Sequence, residues 1–166
     1  MASTYTPIAT TTLGSAAATV TFSSISQTYT DLELVANFDG SVSSYTTLTF
    51  NGVTGTSYSR TRLIGSGSAA SSDRTANTAG VINLTYNTAG TPVTGIYKIF
   101  NYANTNTYKT AIVKDAAQPD NVAVTVGLFR GSTGSATDAI TSITLTKASG
   151  NYTVGSTFTL YGIASA

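Results

Sequence analysis

Seven carboxylates (Asp31, Glu33, Asp39, Asp73, Asp115, Asp120 and Asp138) stand in a chain that contains no histidine and no cysteine. That pair of absences excludes a Ser-His-Asp triad, His- or Cys-ligated zinc and thiolate catalysis. What is left is carboxylate, lysine, tyrosine and hydroxyl chemistry. Glycoside hydrolysis needs two carboxylates flanking one bond, and Asp31 and Glu33 are two apart, on one face of a strand. That face is opposite the strand's apolar side, where a carboxylate pair is expected to be solvated or paired across strands rather than catalytic. Asn37, Asp39 and Asn51 offer oxygens to Ca²⁺, but they lack the spacing of a calcium loop, and Asp39-Gly40 reads as a turn. The expectation is therefore no catalytic residue, no cofactor and no metal ligand.

Arg60, Arg62 and Arg74 are the only local concentration of cations, and they bracket the loop-like run Gly65 to Ser72. Bidentate guanidinium contacts to a partner's carboxylates are one use for them, and solvation or internal pairing is the other. They are the partner-binding candidates. Gly65-Ser-Gly67 is not followed by a helix that could hold a phosphate, so it is expected to be a loop. The ten tyrosines suit sugar stacking or protein interfaces, although Tyr97 and Tyr161 sit within strand patterns.

The elements that must position these residues are β-strands. Thr, Val, Ile, Tyr and Phe alternate in short runs, and Gly, Asn and Ser clusters interrupt them. About ten strands are expected among eleven strand-like runs: Tyr5 to Leu13, Thr19 to Phe22, Asp31 to Phe38, Thr46 to Phe50, Tyr58 to Ile64, Val81 to Tyr86, Gly95 to Asn101, Tyr108 to Ala116, Val122 to Phe129, Ile140 to Lys147 and the final Gly155 to Ile163. Asn51-Gly52 predicts a two-residue hairpin returning through Tyr58 to Ile64. Val122 to Val126 is apolar and β-branched, so it is expected to be a buried central strand guarded by Pro119-Asp120 and Gly127. The fold class is all-β, a jelly-roll-like antiparallel sandwich in one domain over residues 8–166, preceded by an N-terminal arm over residues 1–7.

The 166 residues carry only 9% charged side chains, a net charge of +1, and Ser and Thr as about a third of the chain. No basic run is present to neutralise a phosphate backbone, so nucleic acid is not expected as a partner. No stretch approaches the length of a membrane helix and no leader pattern opens the chain, which predicts synthesis in the cytosol and no membrane association. Weak charge gives little colloidal repulsion and favours a protein held in an assembly.

Several segments in order resemble a family of tailed-bacteriophage virion proteins: Phe22 to Ile25 leading to Tyr29-Thr-Asp-Leu-Glu-Leu34, then Ile99-Phe-Asn-Tyr-Ala-Asn104, Ile140 to Leu145, Asn151-Tyr152 and Gly155 to Ile163. The chain departs from that pattern at Ser26, where proline is frequent, and near Phe129, where tryptophan is frequent. The resemblance implies a virion surface role with no enzyme activity, cofactor or catalytic residue. It points to a capsid decoration (cement) protein on the outer shell, made in the host cytoplasm. Its partners would be the major capsid protein and copies of itself, as a homotrimer. The alternative it implies is a tail-fibre or tail-tip module that binds a host glycan.

Overall fold

The computed structural model describes residues 4–66, 68–116, 122–134 and 136–164. Among them are twelve strands and no helix: β1 (Tyr5–Thr12), β2 (Thr19–Phe22), β3 (Asp31–Phe38), β4 (Ser44–Phe50), β5 (Tyr58–Gly65), β6 (Ala70–Thr78), β7 (Val81–Asn87), β8 (Val93–Phe100), β9 (Lys109–Ala116), β10 (Val122–Phe129), β11 (Ile143–Lys147) and β12 (Thr157–Ile163). They form two antiparallel sheets, β1-β12-β3-β8-β9-β10-β5-β6 and β2-β11-β4-β7. Every strand with clear alternation in the sequence is present, because period-2 burial is what a sheet packed on one face imposes.

The order of eight of these strands is that of a jelly roll. β1-β12-β3-β8 packs against β2-β11-β4-β7, and the chain crosses between the sheets in Greek-key fashion. The other four strands are two hairpin insertions. β5–β6 is inserted between β4 and β7, β9–β10 between β8 and β11, and together they extend the first sheet beyond β8. One core lies between the layers, with Leu32, Leu34, Phe38, Phe50, Tyr97, Tyr152, Phe158 and Leu160 all but inaccessible. Phe38, Tyr152 and Phe158 form a mutual aromatic cluster with centroids 5.0 to 6.1 Å apart.

Four expectations are corrected. The Asn51-Gly52 turn forms, with both residues at positive φ (52° and 67°) and Val53 N–H donating to Phe50 O at 2.9 Å. The strand after it nevertheless does not return along β4, because β5 pairs with β10 and β6 in the opposite sheet. Tyr58 explains the crossing: its ring is buried against Phe50 and Phe129, and its hydroxyl accepts from Phe50 N–H at 2.9 Å, which ties the end of β4 to the first sheet. The Gly65 to Ser72 loop is shorter than expected, since Ala70 onward is strand β6 and Ser66 N–H already donates to Ala69 O.

The third correction concerns Val122 to Val126. The strand is central, between β9 and β5, but its three valines face outward, at 60, 43 and 44% exposure. The inward positions belong to Thr125, Gly127 and Phe129, because β7 lies too close for more: a Cβ at Gly127 would be 2.9 Å from the Val81 methyls. The flanking Pro119-Asp120 lies outside the described residues. Finally, the last three residues of the expected arm are sheet, with Tyr5, Thr6 and Pro7 paired to Ile163, Gly162 and Tyr161; residues 1–3 lie outside the described residues.

Candidate functional site

The two inserted hairpins gather the chemistry. On the inner face of β5, Arg60 and Arg62 converge on Asp73 of β6: Arg60 Nη1 donates to Oδ1, and Arg62 Nη2 donates to Oδ2 at 2.7 Å. The register makes this unavoidable, since Arg62 pairs directly with Asp73 across the β5–β6 ladder and Arg60 is two residues away on the same face. Burial works to raise the Asp73 carboxyl, but the hydrogen bonds from Arg62 and Arg60 outweigh it and hold it below the ordinary carboxylate range. Arg62 also lies over the Tyr45 ring at 5.5 Å, and Tyr45 meets Tyr86 edge-on at 4.7 Å.

This polar packing occupies the inner face of the extension, which is covered by β7 of the second sheet and, through Tyr45 and Phe50, by β4. Deeper along it, Asp115 is 9% exposed and is pushed up to about 6 by burial, with Thr85 Oγ1 donating to it at 3.4 Å. Thr85 also shares a hydrogen bond with the Tyr97 hydroxyl at 2.8 Å. Arg60 Nε and Thr125 Oγ1 are buried without a hydrogen-bond partner among the described residues. Groups of this kind in a polar recess are served by buried water.

The three candidate arginines are therefore not one patch. Arg60 and Arg62 point inward to a shared carboxylate, while Arg74, paired in register with Thr61, is exposed on the outer face. Of the other candidates, Asp31, Asn37, Asp39 and Asn51 are engaged locally. Asp31 Oδ1 accepts from Asn101 N–H at 2.9 Å and Oδ2 lies 3.9 Å from Lys98 Nζ. Asn37 accepts from Thr94, Asp39 accepts from Gly40, Gly90 and Asn87, and Asn51 pins residues Ala139 to Ser142. Among the described residues no cluster of three acidic side chains has metal-binding geometry. Asp120 and Gly67 lie outside the described residues. Of the tyrosines, Tyr58, Tyr97, Tyr102 and Tyr152 are core, and Tyr5 and Tyr108 are the most exposed.

Sequence reasoning missed the outer face of the extension. Its side chains form cross-strand rungs read directly from the register. One rung is Val35, Ile96, Lys114, Val124, Leu63, Ser72, and the next is Glu33, Lys98, Ile112, Val126, Thr61, Arg74. Leu63 is 61% exposed and Ile96 36%. A depression of about 130 Å³ lies beside Ile96, lined by Glu33, Lys98, Phe100, Ile112 and Lys114. The signal was present in the alternation of Val122, Val124 and Val126 with Ala123, Thr125 and Gly127. The smaller set faces the crowded interior.

The segments quoted for the phage resemblance lie in one contiguous block, which meets the outer-face rungs at Glu33 of β3. β12, β3 and β8 are neighbours, β2 pairs with β11, and Tyr102 joins the two layers: its hydroxyl donates to Ser26 O and its carbonyl accepts from Ile140 N–H at 2.8 Å. Gln27 adds bonds to Ile25 O and Ile140 O. No family model, curated protein or solved structure matches this chain.

Proposed function

We propose that this protein is a non-enzymatic virion structural protein of a tailed phage, a decoration protein that binds the outer capsid surface and stabilises the shell. The observation that carries the reading is the ordered set of segments from Phe22 to Ile163 that resembles such virion proteins, together with their convergence in one half of a jelly roll. An exposed apolar face on a weakly charged chain fits a protein that works by covering and being covered. The mechanism is passive: contacts made only in the assembled state add binding free energy that disassembly must overcome.

The test is the number of copies per purified particle, by quantitative mass spectrometry against the major capsid protein. Hundreds of copies support shell decoration. A few copies overturn it in favour of a tail module, for which a glycan is the partner to seek. Absence from the particle overturns both.

A further inference from the structure

We infer that the outer face of the β9–β10 extension binds a second copy of this chain about a twofold axis running roughly along the strands between β9 and β10. The inference stands apart from the virion reading, since it rests only on the register and on what the side chains expose. A twofold interface brings one patch against itself, so the patch must be self-complementary. Reversing each rung about that axis tests this.

In the rung Glu33, Lys98, Ile112, Val126, Thr61, Arg74, reversal places Glu33 on the partner's Arg74 and Ile112 on the partner's Val126. In the adjacent rung it places Ile96 on the partner's Leu63. Leu63, the most exposed aliphatic side chain of this face at 61%, then meets the rim of the depression beside Ile96 and Ile112. Lys114 falls on the partner's Val124, where its stem covers the valine and the ammonium group reaches out to the rim. Lys98 is turned toward Asp31, so neither Glu33 nor Arg74 has an ion-pair partner within the chain among the described residues. Of the three charges of the face without an ion pair among the described residues, Glu33, Arg74 and Lys114, the axis matches Glu33 with Arg74.

The size is adequate. From β3 to β6 the sheet has five strand intervals of about 4.8 Å, and four rows of outward side chains span about 20 Å. This is about 480 Å² in plane per copy and about 960 Å² for the pair, the size of a weak or transient interface. Two twisted sheets stack with their strands about 30° apart, which a slightly tilted axis supplies.

The experiment is sedimentation equilibrium on the full chain at up to about 100 µM. The expected result is a species of twice the 17.0 kDa chain mass. Leu63→Glu with Val126→Glu should give monomer with an unchanged circular dichroism spectrum. Glu33→Arg alone and Arg74→Glu alone should each weaken association about tenfold, equivalent to 1.4 kcal/mol, and the double reversal should restore it. A monomeric wild type, a trimer, association indifferent to Leu63→Glu, or a charge reversal that fails to restore it would each overturn the twofold proposal.

Discussion

The ring of Tyr29 rests on the backbone of Gly162, so closely that a Cβ at position 162 would lie 2.4 Å from ring carbons Cγ and Cδ2. Gly162 has ordinary strand geometry and pairs with Leu32 on one side and Thr6 on the other. Its lack of a side chain thus serves contact rather than backbone conformation. Gly162→Ala is expected to overpack this site and cost about 1–3 kcal/mol. Urea titration checks it, and in a Tyr29→Ala background the same substitution should cost much less, because the obstructing ring is gone.

Asp115 predicts an unusual pH dependence. Burial raises its carboxyl to about 6, so between about pH 4 and 6 the folded state holds a proton that the unfolded chain has released. Its contribution to stability is present below about pH 4 and is lost as pH rises through about 6. Asp115→Asn should remove that slope and be more stable than the parent at pH 7, by about 3 kcal/mol. Urea midpoints at pH 4 and pH 7 provide the comparison, and a parent that gains stability relative to the variant over this window would contradict it.

The arginines divide by what surrounds them. Removing Asp73 strands the guanidinium of Arg60, whose side chain is 3% exposed, so Asp73→Ala is expected to cost about 2–4 kcal/mol. Arg74 is exposed on the outer face, and Arg74→Ala should stay within about 0.5 kcal/mol of the parent. Thermal melts of the two variants at equal, low concentration separate a structural cluster from a surface charge.

Ending the chain at Val154 removes β12, which lies between β1 and β3 and supplies Phe158 and Leu160 to the core. Loss of an interior strand leaves two exposed ladder edges and an open core. The expected product is insoluble; a soluble truncation with a cooperative melt would show that the sheet closes without β12.

Much of the architecture was legible in the chain because it depends on local rules. Alternation in Asp31 to Phe38 and Thr157 to Ile163 placed two core strands with the correct faces inward, since a sheet buried on one side admits only period-2 patterns. Asn51-Gly52 likewise announced a turn with two positive φ angles, because few other residue pairs adopt them readily. The absence of histidine and cysteine determined which chemistries are closed to the protein. None of these conclusions requires knowing which strand lies beside which.

What only the tertiary structure decided are the non-local choices. Tyr58 carries β5 across to the other sheet because a buried ring and three nearby backbone groups at the end of β4 compensate for abandoning the hairpin. The valines of β10 face outward because Val81 of β7 approaches Gly127 too closely for any larger side chain inside. Arg60 and Arg62 fold inward while Arg74 faces out, since one-residue steps along paired strands alternate faces and Asp73 lies on the inner one. Each outcome turns on packing between residues far apart in the chain, and no local pattern encodes that distance.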